Sequence, residues 1–188
     1  IKSCTRPTLA QSAVYSYPRG GQNVEGPSIR LAETIAQEWG NIQYGIRELS
    51  QANGESTVEA FAWDIQTNTR QVKVFQVPHV RYSKKGKAIL TDPRDIYELV
   101  ANNGARRLRA CILGVIPGDV IEAAVEQCSV TLTANADTSQ EGLKKMADYF
   151  SEHFGVTTDM IAKRYQCRFE SLRPAQIVQL RKISQSLK

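Results

Sequence analysis

Histidine is scarce in this 188-residue chain, which has only His79 and His153. That leaves little for acid–base or nucleophilic catalysis. The four cysteines, Cys4, Cys111, Cys128 and Cys167, are far apart and form no C-x-x-C pair, so a structural zinc site is not expected. No apolar run approaches the roughly 18 residues of a membrane span. The G-x-x-x-x-G-K-[ST], G-x-S-x-G and H-E-x-x-H patterns are all missing, and Gly20, Gly21 and Gly26 do not make G-x-G-x-x-G. A metal-dependent nuclease needs clustered carboxylates. The nearest pair, Glu59 and Asp64, faces opposite sides of a regular strand, and Asp64 reads better as a strand-end residue beside a turn. The chain is therefore read as a non-enzyme with no cofactor; ATP is not expected, and Mg²⁺ is compatible but not required.

What is present is an ordinary globular composition, 41% apolar with mean hydropathy −0.35, and a net charge of +5. That charge is a mild lean toward anionic partners. It is concentrated in one stretch, from Pro78 to Pro117. A basic loop with Arg81, Lys84, Lys85 and Lys87 around Gly86 leads into a long helix bearing Arg106, Arg107 and Arg109. Arginines on a helix supply fixed forks suited to phosphate oxygens, and lysines on a loop supply charge without fixed geometry.

Around this stretch the pattern predicts an α+β fold. Residues 1–27 are broken by Pro7, Pro18, Gly20, Gly21, Gly26 and Pro27 and read as an irregular arm or docked tail. Ser28 caps a helix whose buried row is Ile29, Ala32, Ile35, Ala36 and Trp39, ended by Gly40. Three strands follow, 42–49, 57–65 and 70–80, turned at Asn53-Gly54 and Asn68 into an antiparallel meander. Phe61, Trp63, Phe75 and Tyr44 lie on it and read first as core. A loop spans 82–90. The long helix runs from Asp92 to about Leu113 with Ile96, Leu99, Val100, Leu108, Cys111 and Ile112 inward, so the meander is expected to pack on it. Gly104 in its middle costs about 1 kcal/mol of helix propensity and points to a close backbone approach. Another helix follows Pro117, and 129–138 reads as linker. Helical stripes at Leu143, Met146, Ala147 and Phe150, at Met160, Ile161 and Tyr165, and at Ile177, Leu180, Ile183 and Leu187 form a small C-terminal unit. The expected division is a core domain with its N-terminal arm over 1–131, a linker over 132–138, and a helical unit over 139–188.

The layout resembles a known family. The carrying features are Gly26-Pro27-Ser28-Ile29-Arg30-Leu31-Ala32-Glu33, Trp39-Gly40-Asn41 and the hairpin ending Ala62-Trp63-Asp64. To these add Asn103-Gly104-Ala105-Arg106-Arg107-Leu108-Arg109, Val115-Ile116-Pro117 and Pro174-Ala175-Gln176-Ile177-Val178-Gln179-Leu180. Together they are similar to the phage single-strand annealing proteins of the RecT/Red-beta superfamily. The resemblance implies a β-β-β-α core, with single-stranded DNA in a groove between hairpin and long helix. It also implies ATP-independent pairing of complementary strands through a duplex intermediate during recombination. Further implications are homo-oligomeric rings or helical filaments in the host bacterial cytoplasm, with no membrane, and a C-terminal unit that docks a cognate exonuclease or host single-strand binding protein. Arg19, Arg81, Lys84, Lys85, Lys87, Arg106, Arg107 and Arg109 are the expected DNA contacts. The alternative is a phage assembly or adaptor oligomer that does not bind DNA.

Overall fold

Asn53-Gly54 turns the chain with both residues at positive φ, 53° and 78°, as a two-residue hairpin loop requires. It joins β3 (Ile42–Ala52) to β4 (Glu55–Asp64), and a turn with Asn68 at φ 57° joins β4 to β5 (Thr69–Pro78). The three strands form an antiparallel sheet in the order β3-β4-β5, with a bulge between Glu48 and Ser50. Central β4 alternates strictly. Ser56, Val58, Ala60, Ala62 and Asp64 are buried, while Thr57, Glu59, Phe61 and Trp63 are half-buried on the other face.

The computed structural model describes residues 1–19, 22–83 and 86–187, and the side chains of all these except Ser16, Pro18, Arg19 and Asn23. Among the described residues the chain is α+β, with seven α-helices and three antiparallel sheets, two of them two-stranded. Before the meander come α1 (Pro7–Ser12), the hairpin β1 (Val14–Arg19) and β2 (Gln22–Pro27), and α2 (Ile29–Trp39). After it come a hairpin of β6 (Val80–Ser83) and β7 (Gly86–Ile89), then α3 (Pro93–Val115), α4 (Gly118–Ala134), α5 (Gln140–Phe154), α6 (Thr158–Tyr165) and α7 (Pro174–Ser186).

Three stretches differ from the sequence reading. Residues 1–27 are not irregular: among the described residues they hold two short helices and the paired strands β1 and β2, each too short to show a period. Tyr15 and Tyr17 stack on the hairpin at 5.9 Å, and a side chain at Gly26 would run into the Tyr15 ring. The loop at 82–90 is largely the β6–β7 hairpin. The stretch 129–138 is helical as far as Ala134, because its small residues tolerate a helix without marking one face.

The chain clusters into two compact units, Ile1–Gly26 with Val125–Lys188, and Pro27–Ala124. This grouping runs across the boundaries expected at 131 and 139. In the first unit, Leu143, Met146, Phe150, Ile161, Phe169, Leu172, Ile177 and Leu180 make a buried core. Its N-terminal residues are held by burial of Cys4, Ala10 and Ala13 and by the Thr131 hydroxyl, which donates to the Cys4 carbonyl at 2.8 Å. In the second unit, Val58, Val77 and Val100 form a buried cluster with Ile46, Phe75, Ile96 and Leu99 against it. Gly104 lies inside an unbroken α3, where a Cβ would stand 2.7 Å from the Ile46 Cδ1. The Cys111 thiol donates to the Ala60 carbonyl at 3.4 Å.

Candidate nucleic-acid interface

The β6–β7 hairpin has two faces of different chemistry. Its register sets Val80 against Ile89 and Tyr82 against Lys87 on one face, and Arg81 against Ala88 on the other. Tyr82 is 76% exposed and Ile89 75%, and Lys87 is exposed beside them. A cation next to an open aromatic ring is the pairing that holds a single strand, by phosphate neutralisation and base stacking. On the reverse face, Arg81 Nη2 reaches Asp95 Oδ1 at 3.4 Å and ties the hairpin to the first turn of α3. The pair is open to solvent, so it contributes at most about 1 kcal/mol. It positions the hairpin and partly neutralises Arg81.

Asp92 starts α3 by accepting from Arg94 N at 2.7 Å, with Pro93 next in its first turn. Farther along, successive arginines take different roles. Arg106 is exposed, and among the described residues no carboxylate pairs with it. Arg107 is half-buried. Its guanidinium lies 4.8 Å from the Phe75 ring centre, and its Nη1 donates to the Asn103 carbonyl at 3.3 Å and to Asn103 Oδ1 at 3.4 Å. The stack fixes the plane of the fork and leaves its other N–H groups to a ligand. Arg109 is half-buried and already engaged. Glu98, Glu122 and Glu126, one helical turn or more away in the sequence, form no ion pair with Arg106 or Arg107 among the described residues.

Lys73 extends this edge. It is exposed on β5, two residues before Phe75 on the same face. Lys73 pairs across the sheet with Ala60, whose carbonyl accepts from the Cys111 thiol, so it stands one strand over from the helix turn after Arg107. Beyond it, Gln71 lies against Gly114, where a Cβ would meet its Cγ at 3.0 Å. Sequence reasoning passed over Tyr82 and Lys73. The signal for Lys73 was its alternation with Phe75; for Tyr82 it was a strand period too short to register.

Of the expected contacts, then, Arg81 is brought to α3, Lys87 stands with Tyr82, and Arg106 and Arg107 diverge. Lys84 and Lys85 lie outside the described residues, as does the side chain of Arg19, whose backbone ends β1 in the other unit. Glu59 and Asp64 do not meet: Glu59 sits 4.0 Å from Arg47, and Asp64 is buried on the opposite face. Among the described residues no group of His, Cys, Asp and Glu could hold a metal ion, and no helix is long and apolar enough to cross a membrane.

The first unit holds a separate cavity of about 500 Å³, lined by Val14, Cys128, Tyr149, Val178, Arg181 and Lys182 among others. Its lining mixes apolar Val125 and Leu132 with polar side chains, and Glu25 stands in it with the two cations. No family model matches the chain, and no curated protein or solved structure matches it.

Proposed function

We propose that this protein binds single-stranded DNA and anneals complementary strands without ATP, as its resemblance to the phage annealing proteins implies. The observation that carries the reading is the β6–β7 hairpin, with exposed Tyr82 beside Lys87, tied by Arg81 to the helix that presents Arg106 and Arg107. In this reading the meander packed on α3 is the β-β-β-α core, and the strand runs along the hairpin and the β5 side of α3. Lys87, Arg106, Arg107 and Lys73 neutralise phosphates, and Tyr82 offers a stacking ring. Phosphate contacts carry no sequence information, so binding is expected to ignore sequence. Base edges left outward are free to pair with a second strand, and duplex formation supplies the driving force. The cavity walled by Arg181 and Lys182 supports a docking role for the C-terminal helices, toward an exonuclease or host single-strand binding protein.

The test is annealing of two complementary fluorescent oligonucleotides across a salt series, with no nucleotide added. Acceleration that fades with salt is expected. Arg106→Ala and Arg107→Ala should each weaken binding and make the salt slope shallower by about 0.7. Unchanged affinity and slope in both variants would remove α3 from the interface.

One observation favours the rival assembly or adaptor reading: the unit Pro27–Ala124 carries twelve lysines and arginines against eleven acids, so its net charge is nearly balanced. Gel filtration with and without a single-stranded oligonucleotide separates the two. An adaptor keeps its size, whereas an annealing protein changes its oligomer.

A further inference from the structure

The β3–β5 sheet has a second face that α2 and α3 do not meet. The α3 contacts at Val58, Ala60 and Ile46 and the Trp39 contact at Asp64 all fall on the buried side of β3 and β4. On the open side the register places Gly45, Phe61 and Val72 in one row, Arg47, Glu59 and Val74 in the next, and Gln43, Trp63 and Arg70 in a third. Val72 is 39% exposed and Val74 59%, and Phe61 and Trp63 are half-buried beside them. A side chain at Gly45 would stand 3.3 Å from the Phe61 ring. The Arg47 guanidinium lies 4.6 Å over that ring and 4.0 Å from Glu59.

The charges decide what this face can take. Arg47 and Arg70 are matched on it by Glu55 and Glu59. A balanced face offers a polyanion no net attraction, so it is unlike the hairpin. It does offer an apolar centre with both signs around it, which is the composition of a self-complementary surface: under a two-fold axis each copy's cations can face the other's acids. Strands of ten residues at about 3.3 Å per residue, three abreast at about 4.8 Å, give roughly 470 Å² per copy. Two copies would bury about 950 Å², close to the roughly 1,000 Å² that a specific interface must clear. We propose that this face is an isologous, sheet-to-sheet interface between two copies of this chain, weak enough to form and part at micromolar concentration. It goes beyond the nucleic-acid reading and does not depend on it.

Sedimentation equilibrium of the full chain without DNA tests it, over about 1 to 100 µM. The weight-average mass is expected to rise from 21.0 kDa with concentration. Val74→Glu, exposed but opposite Glu59 across the strand pair, should weaken association at least about tenfold while the far-UV circular dichroism stays that of the wild type. In a Cys167→Ser background, the thiol of Val74→Cys should become less reactive toward alkylation as protein concentration rises through the same range. Lys73→Cys, one residue away on the opposite face, should not. A monomer at every concentration, or self-association that Val74→Glu leaves unchanged, would overturn the proposal. So would protection of Cys at 74 from alkylation by a single-stranded oligonucleotide, since the face would then belong to nucleic acid.

Discussion

Asp64 shows how much one buried carboxylate can organise. It is 1% exposed and accepts from the Thr67 hydroxyl at 2.8 Å, Gln66 N at 3.0 Å, and Thr67 N and Trp39 Nε1 at 3.4 Å. It therefore closes the β4–β5 turn and pins the end of α2 at once. The Thr67 hydroxyl, followed by the other donors, holds its carboxyl below the usual range against the opposing effect of burial. A carboxyl whose folded pKa is depressed adds stability that is present above its unfolded pKa, near 3.9, and disappears as pH falls through the folded value. Asp64→Asn should lower Tm clearly at pH 7, and its gap to the wild type should narrow as thermal melts are taken below about pH 4. A gap independent of pH would mean that shape, not charge, holds the turn. Arg106 and Arg107 make the complementary point. They are neighbours in sequence, but 100° of helix rotation sends one to solvent and seats the other on Phe75.

Among the elements, α3 depends on the approach allowed by Gly104. Alanine there gains about 1 kcal/mol of helix propensity but forces its Cβ to 2.7 Å from Ile46 Cδ1 and 3.1 Å from Cγ2. Overpacking of a buried contact costs about 1–3 kcal/mol, so Gly104→Ala should be destabilising by about 1 kcal/mol net in urea melts. Ile46→Val removes the Cδ1 and should relieve much of that, giving a favourable coupling in the double mutant; strict additivity would place the strain elsewhere. This contact was legible in the sequence, because a mid-helix Gly beside Asn103 demanded a reason. The Ser28 cap and the Asn53-Gly54 turn were legible too, since each rests on local chemistry, as were the C-terminal stripes apart from Met160 and Leu187, which are exposed. The β6–β7 hairpin was not: four-residue strands leave no measurable period, and a lysine-rich stretch of sequence reads as solvated loop. Nor could alternation alone say which face of the meander meets α3. Phe61 and Phe75 look alike in sequence, and only the register puts Phe75 under Arg107 and leaves Phe61 on the open face.

For the whole chain, the feature hidden from local pattern is that residues 1–26 belong with the C-terminal helices. The bond from Thr131 to Cys4 spans 127 positions, beyond the reach of any periodicity. Where the two segments meet, Cys4 and Cys128 are both buried, and burial, followed by the neighbouring Cys4 thiol, pushes the Cys128 thiol up to about 12. A thiol held neutral and out of solvent is inert to alkylation. Removing residues 1–12 should strip that cover, so Cys128 should react readily with iodoacetamide at pH 8, as read by mass spectrometry. Cys111, buried in the other unit against Ala60, should stay protected. Half-buried Cys167 reacts in both forms and serves as the internal reference. Labelling of Cys128 alone would mean that the N-terminal segment is an integral wall of its unit and that the second unit holds its fold without it. Labelling of Cys111 as well would mean that the two units unfold together, and no change at either would mean that α4 is covered without the segment.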